Sequence, residues 1–124
     1  MNKELNIGDY VRTKDGIILK IKDTEDIYTT DNIYIGMAIY DDDGHFINDV
    51  EIIKSSPDII DLIEVGDYVN GYKVSFIDED VDTFVQCDYP VQEGSTNHYR
   101  FYSKAIYSIV TKEQFSSMEY KIWK

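Results

Sequence analysis

The chain has 124 residues, which is the size of one domain or of two very small ones. Its 24 acidic and 12 basic side chains leave a formal net charge of −12, which would repel the phosphates of DNA, RNA or an anionic membrane. A single cysteine excludes an internal disulfide, and no apolar run is long enough to span a membrane. We therefore expect a cytoplasmic protein without direct nucleic-acid or membrane contact.

The choice of apolar residues predicts the fold class. The chain contains 18 Ile, 11 Tyr, 9 Val and 5 Phe, but only 3 Leu and 2 Ala. β-Branched and aromatic side chains pack well on a pleated sheet, whereas Ala and Leu are the strong helix formers. This composition predicts an all-β protein.

A five-residue pattern occurs twice. Ile-Gly-Asp-Tyr-Val stands at residues 7–11 and Val-Gly-Asp-Tyr-Val at residues 65–69, and each is followed by a further glycine and an alternating strand pattern. The recurrence predicts two copies of one small β unit. The alternative is that Gly-Asp is local strand-entry chemistry, in which Gly permits a turn and Asp accepts a nearby hydrogen bond.

A short apolar segment separates the two patterns. Ser56 and Pro57 precede it, and this pair is typical of a helix start because Ser caps free N–H groups and Pro suits the first helical position. Residues 59–63 then carry Ile and Leu at helical spacing. We predict a first β unit at residues 1–54, a one-turn helical linker at 55–64 whose apolar side plugs one unit, and a second β unit at 65–124.

Alternating and continuous apolar runs predict the remaining elements. Strands are expected at residues 33–40, 46–53, 72–77, 81–87, 98–103, 105–110 and 119–123. Gly36 inside the first of these indicates a bulge or a close backbone approach. Thr111 and Gln114 have the spacing of a capping box, which predicts a short helix near the C-terminus.

Two stretches of the chain carry a resemblance to known proteins. Gly-Asp-x-Val followed by a glycine and an apolar strand resembles the opening of an SH3-like small barrel. The stretches Pro57–Val74 and Ser108–Phe115 resemble a group of small uncharacterised proteins from phages and prophages of low-GC Gram-positive bacteria. The resemblance implies two tandem SH3-like barrels and a phage-encoded accessory protein in a bacterial cytoplasm, and it supplies no activity and no functional residues.

Negative charge is concentrated in the middle of the chain. Residues 23–93 hold 19 acidic residues against Lys54 and Lys73, whereas the segments on either side are net basic. Carboxylates on a single face would imitate the charge of a short DNA duplex and attract basic grooves; carboxylates pointing in all directions would only keep the protein soluble. Tyrosines are enriched at interfaces and favour the first interpretation. The candidate partner-binding residues are Asp41, Asp42, Asp43, Asp78, Glu79, Asp80, Asp82, Tyr28, Tyr34, Tyr40 and Tyr89.

Two acidic groups were considered as metal sites. Asp78, Asp80 and Asp82 match the first ligand positions of a calcium loop, but Thr83 and Tyr89 stand where Gly and Glu are required. A second group lies at residues 41–45 and includes His45, but alternate residues in a turn rarely converge on one ion. We therefore expect no metal and no cofactor.

Nucleophilic chemistry has equally little support. Cys87 shares a strand face with apolar residues, which predicts a buried and inert thiol rather than a nucleophile paired with His98 or His45. Phosphate-binding glycine loops and serine nucleophile motifs do not occur in the sequence. We expect a protein that is not an enzyme.

Three functions remain for the chain. The first is an inhibitor or decoy that imitates nucleic acid and binds a basic host protein, such as a defence or nucleic-acid-processing enzyme. The second is an adaptor that binds a peptide or another phage protein through an aromatic groove, with the charge incidental. The third is sequestration of a small nucleotide near His98, Arg100 and Tyr102, where an aromatic–basic strand could stack a base. The oligomeric state is open.

Overall fold

The computed structural model describes residues 5–90 and 96–118. Within these residues, short strands form three antiparallel sheets and one α-helix lies near the end. The strands are β1 (Tyr10–Thr13), β2 (Ile18–Lys20), β3 (Asp23–Tyr28), β4 (Tyr34–Tyr40), β5 (Phe46–Asn48), β6 (Ile52–Ser56), β7 (Tyr68–Val69), β8 (Tyr72–Asp78), β9 (Phe84–Pro90), β10 (Thr96–Tyr102) and β11 (Ile109–Val110). The helix α1 spans Lys112–Met118. The predicted all-β class is confirmed.

The chain divides into two compact units, Met1–Asp58 and Ile59–Lys124. The first unit contains two three-stranded sheets, with strand orders β2-β1-β6 and β3-β4-β5. The second contains a five-stranded sheet with the order β10-β9-β8-β7-β11. None of these sheets closes into a barrel within the described residues, so the tandem SH3-like barrels stay a prediction. In the same part of the chain, no helix has the length and apolar character that crossing a membrane requires.

Each unit has its own apolar core. In the first unit the core consists of side chains from β1, β2, β4, β5 and β6 together with Ile21, which follows β2. In the second unit the single 3₁₀ turn Ile59–Leu62 buries Ile60 against the five-stranded sheet, and Ile63 joins the same cluster. A helical turn therefore lies within the predicted segment, but it begins at Ile59 and not at Ser56 and Pro57, because Ser56 belongs to β6. Its apolar side packs into the second core; its role as a linker between barrels stays a prediction.

The two Gly-Asp patterns adopt the same local structure. Gly8 and Gly66 have positive φ values of 97° and 100°. In the first unit the N–H of Gly8 donates to Ile21 and the N–H of Ile21 donates to Asp9; in the second, Gly66 and Asp67 exchange the equivalent bonds with Val74.

Each aspartate accepts a hydrogen bond from a backbone N–H three residues earlier. The side chain of Asp67 accepts from the N–H of Glu64 at 2.8 Å, and that of Asp9 accepts from the N–H of Asn6 at 3.3 Å. The predicted local hydrogen bond of the aspartate is therefore confirmed.

Asp67 also contacts the C-terminal helix, because its second carboxylate oxygen accepts a hydrogen bond from the first residue of α1. The Oδ1 atom of Asp67 accepts from the N–H of Lys112 at 2.9 Å, and the side chain is fully buried. Beside it, the N–H of Thr111 donates to Gln114 Oε1 at 3.2 Å and the N–H of Gln114 donates to Thr111 Oγ1 at 3.3 Å. This reciprocal pair is the predicted capping box.

Several predicted strands have different bounds in the structure. The run at residues 46–53 breaks into β5 and β6, because a 3₁₀ turn at Asp49–Glu51 separates them. Of the run at 105–110, only β11 is a strand. The residues before it form hydrogen bonds with the side chain of Asn70 in place of a neighbouring strand. This side chain donates to the C=O of Ala105 and accepts from the N–H groups of Tyr107 and Ser108. The predicted strand at 119–123 lies outside the described residues.

Two further differences concern acidic segments. The strand at 81–87 begins only at Phe84, and Val81 at the hairpin tip is 95% exposed. The strand β3 was not predicted, because three of its six residues are acidic and acidic residues are depleted in strands.

The Gly36 prediction is confirmed. Gly36 has a φ of 146°, and the register between β3 and β4 shifts beside it, between Ile27 and Tyr28. A Cβ atom on Gly36 would lie 3.0 Å from Asp49 Oδ1, so the backbone approach is close.

The Asp67 carboxylate gives the first testable prediction. In Asp67→Ala, two backbone N–H groups lose their acceptor in a buried place, and we expect the free energy of unfolding of the second unit to fall by about 2–4 kcal/mol. Urea unfolding followed by circular dichroism measures the change. Asp9→Ala is the matched control: its bond from Asn6 is longer and exposed, so the loss there should be about 1 kcal/mol or less. Equal losses would contradict the assignment.

Candidate functional site

The acidic turn between β4 and β5, residues 41–44, is built around one carboxylate. Asp41 Oδ1 accepts from the backbone N–H groups of Asp43 at 3.0 Å and His45 at 2.9 Å. Gly44, with a φ of 82°, lets the chain reverse. Asp42 and Asp43 are exposed, and Asp42 Oδ1 lies 3.5 Å from Lys22 Nζ.

The side chains of this turn converge, contrary to the sequence-based expectation. One ligand atom each from Asp41, Asp43 and His45 lies within 4.8 Å of the others, and His45 Nδ1 is 3.4 Å from Asp41 Oδ2. The expectation was wrong because Asp41 fixes the turn by accepting the amides of both other residues. The hydrogen bonds of the turn account for this geometry without an ion.

The acidic turn between β8 and β9 is wider than predicted. Asp78 pairs with Phe84 at the end of the ladder, and Asp78 Oδ1 accepts from the N–H of Asp80 at 3.0 Å. Glu79, Asp80 and Asp82 are exposed around the exposed Val81. The three aspartates do not gather ligand atoms on one point, since the residues that converge in this way within the described chain are those of the first turn.

The predicted tyrosines fall into different environments. Tyr28 and Tyr34 are 54% and 49% exposed, and their rings meet edge to face at 5.5 Å. Tyr40 is half-buried, donates to Glu25 Oε2 at 3.2 Å and contacts the ring of Phe46. The side chain of Tyr89 lies outside the described part of the structure.

The Tyr28–Tyr34 pair lies among carboxylates. Partial burial raises the pKa of the Tyr34 hydroxyl, and the negative charges of Asp26 and Asp49 raise it further. The glutamate that accepts from Tyr40 likewise raises that hydroxyl's pKa. The aromatic pair therefore lies within electrostatic range of acidic groups in the first unit.

Exposed aliphatic residues lie on the same hairpin and in the turn after β5, and the sequence does not predict their exposure. Ile33, Ile35 and Val50 are all exposed. The apolar run at residues 33–40 predicted a strand; β4 is central in its sheet, but its first residues carry apolar side chains on the protein surface. We name the exposed residues Tyr28, Ile33, Tyr34, Ile35 and Val50 the hairpin patch.

A small cavity lies beside Ile35 and Val50 of the hairpin patch. It has a volume of about 150 Å³ and is lined by residues that include Ile35, Gly36, Asp49 and Val50. The Oδ1 atom of Asp49 is buried here and has no hydrogen-bond partner among the described residues. A buried carboxylate oxygen is stabilised by a hydrogen-bond donor.

The aromatic–basic strand β10 is engaged within the second unit. The guanidinium of Arg100 lies 5.1 Å from the centroid of the Phe84 ring, and Tyr102 contacts the same ring. Phe101 packs against the core, whereas Tyr99 is 37% exposed and contacts Tyr72. The side chain of His98 lies outside the described residues.

Comparison with known protein families, with curated proteins and with solved structures finds no match to this chain. The assignment of function therefore depends on the surfaces described above.

The approach of Asp49 to Gly36 gives a testable prediction. Alanine at Gly36 would meet Asp49 Oδ1 at 3.0 Å and would also have to adopt a φ of 146°. We expect Gly36→Ala to lower the free energy of unfolding by about 2–3 kcal/mol, measured by urea unfolding. Gly44→Ala is the control, because Gly44 has a positive φ but an open surrounding, and it should lose about 1 kcal/mol. A smaller loss at Gly36 than at Gly44 would contradict the close approach.

Cys87 gives a pH-dependent prediction. The predicted burial is confirmed, since the residue is fully buried, and burial together with Asp88 raises the thiol pKa from 9.0 to about 11. Between these two pH values the unfolded chain releases the thiol proton while the folded chain keeps it, so stability falls as the pH rises. We expect the stability advantage of the wild type over Cys87→Ala to shrink between pH 9.0 and about 11.

The measurement is urea unfolding of both proteins across this pH range. Other groups that titrate there are common to both chains, so the difference between the two proteins isolates the thiol. A difference that stays constant with pH, or rapid labelling of the folded thiol at neutral pH, would contradict its burial.

Proposed function

We propose that the protein binds a basic protein partner and that the hairpin patch with its surrounding carboxylates forms part of the binding surface. The observation that carries this proposal is the exposed Tyr28–Tyr34 pair beside Asp26 and Asp49. Tyrosine supplies rigid contact area and is enriched at interfaces, and clustered exposed apolar residues mark interaction sites.

The charge of the chain selects the class of partner. Exposed carboxylates occur in both acidic turns and along β3, where Asp23, Glu25 and Asp26 are exposed. With a net charge of −12, the protein would repel nucleic acid and attract a basic surface. A nucleic-acid-binding enzyme of a bacterial host has such a surface, because its groove must hold phosphates.

We accordingly propose a decoy role, in which the protein occupies the nucleic-acid groove of a host defence or nucleic-acid-processing enzyme. The phage origin in this proposal comes from the sequence resemblance. We also propose that the two units are SH3-like copies of one ancestor, supported by the matching hydrogen bonds of the two Gly-Asp turns.

A second candidate is the adaptor, in which charge is incidental and apolar contact supplies the affinity. The exposed Ile33, Ile35 and Val50 favour it. The two functions differ in their response to salt, because exposed charges are screened within about 10 Å at 0.1 M salt whereas apolar contact is not weakened by salt.

The test is capture of partners from a bacterial extract by the full chain at about 50 mM and about 500 mM salt, with duplex DNA as competitor. The partner's affinity is then measured for the triple variant Asp41→Asn, Asp42→Asn, Asp43→Asn. Asparagine keeps the side-chain oxygen that Asp41 uses in its turn. For the decoy we expect about tenfold weaker binding at low salt and convergence with the wild type at high salt.

Matched controls separate position from total charge. Asp15→Asn, Glu51→Gln and Asp58→Asn together remove the same charge from other places in the first unit and should weaken binding less. Tyr28→Ser with Tyr34→Ser should weaken binding at both salt concentrations. Binding that is independent of salt and of duplex DNA would overturn the decoy role, and binding unaffected by the tyrosine pair would overturn the proposed surface.

A further inference from the structure

Each three-stranded sheet of the first unit has two edge strands within the described residues, β2 and β6 in one sheet and β3 and β5 in the other. β2 pairs with β1 alone and β5 pairs with β4 alone within the described residues. An open edge presents backbone N–H and C=O groups that another strand can pair with.

The registers show which groups are free on β5. The N–H of Asp41 donates to the C=O of His45, and Ile39 is opposite Ile47 in the same register. Hydrogen-bonded and non-hydrogen-bonded pairs alternate in an antiparallel ladder, so the backbone groups of Ile47 face β4. Those of Phe46 and Asn48 therefore face away from the sheet.

The same alternation applies to β2. Thr13 donates to the C=O of Ile17, and Ile21 donates to the C=O of Asp9. The backbone groups of Ile18 and Lys20, which lie between these bonded positions, therefore point away from β1.

The edges of β2 and β5 border one groove. It has a volume of about 590 Å³; one wall is formed by Ile17, Ile18 and Leu19 of the β2 side, and the other by Phe46 and Ile47 of β5. Phe46 is 59% exposed although it is large and apolar. The end of the groove is formed by the acidic turn, at Asp41, Gly44 and His45.

We propose that this groove binds an extended segment of a partner protein, which adds to the open edge of β5 as a further strand. The segment would exchange backbone hydrogen bonds with Phe46 and Asn48 and place alternate apolar side chains against Ile17 and Ile18. Strand addition of this kind takes its affinity from the main chain and its specificity from pockets for alternate side chains.

The polar groups of the groove favour a polypeptide over a small molecule. Small-molecule sites are built around convergent polar side chains, and in this groove those of Asp41 and His45 lie at one end only, where Asp41 already accepts two backbone amides. The backbone edge is what remains to be paired. Asp42 and Asp43 are exposed at the groove's end, so we expect a lysine or arginine at the corresponding end of the segment.

This inference depends on the proposed function only in that the ligand is a basic polypeptide. The probe is a fluorescein-labelled peptide of about seven residues, Lys-Lys-Val-Thr-Val-Thr-Val, a length that covers the edge of β5. Titration into the isotopically labelled full chain is followed by NMR amide exchange. We expect the amides of Phe46 and Asn48 to exchange rapidly in the free protein and to become protected with the peptide, while those of Ile18 and Lys20 change less.

Two proline variants give a matched comparison, since proline removes one outward N–H from an edge without removing a bond to the neighbouring strand. Phe46→Pro should weaken peptide binding about fivefold, the effect of one lost hydrogen bond, whereas Ile18→Pro on the facing edge should leave it within about twofold. Phe46→Thr keeps the N–H and tests the ring alone. Two further peptides carry N-methyl groups on alternate amides, one on the odd-numbered residues and one on the even-numbered residues. The peptide whose methylated amides face β5 should not bind, and the other should still bind.

Several results would overturn the inference. Amide exchange at Phe46 and Asn48 that millimolar peptide leaves unchanged would do so, as would protection at Ile18 and Lys20 instead. Binding of both N-methylated peptides would also contradict it. Protection that depends on protein concentration in the absence of peptide would show that a second copy of the chain occupies the groove. If Phe46→Pro still captures a host partner in a salt-dependent manner, the proposed function stands and the strand addition fails.

Discussion

The fold depends on carboxylates that accept hydrogen bonds from backbone amides in turns. Asp67 joins the entrance of the second sheet to the C-terminal helix in this way, and Asp9, Asp41 and Asp78 hold three other turns. A chain with twice as many acidic as basic residues cannot neutralise its charge with lysine and arginine. Turn amides carry partial positive charge, so their hydrogen bonds stabilise these carboxylates.

This arrangement has a consequence for function. Where one aspartate holds the turn, its neighbours stay exposed, as Asp42 and Asp43 do beside Asp41. The acidic groups that stabilise the fold and those that are available to a partner therefore sit in the same short turns. The hairpin patch adds apolar contact area near further carboxylates, and the open edge of β5 adds unpaired backbone groups. Together these features suit a basic protein better than a small molecule.

Local chemistry was predictable and long-range placement was not. The close approach at Gly36, the capping box at the C-terminal helix and the burial of Cys87 follow from residue types at fixed spacings. The strand β3 was missed because its acidic side chains oppose strand propensity, while pairing with β4 overrides that preference. The exposure of Ile33 and Ile35 was not predictable, because an apolar run carries no information about which part of a strand its unit leaves uncovered.

We propose that the exposed carboxylates attract the partner electrostatically. The partner's association kinetics test this proposal most directly. The association rate constant of the captured partner with the full chain is measured from about 20 mM to about 500 mM salt. Electrostatic steering predicts that this rate constant falls by at least about tenfold over the range, while the dissociation rate constant changes little. An association rate constant that is the same at both ends of the range would contradict the claim.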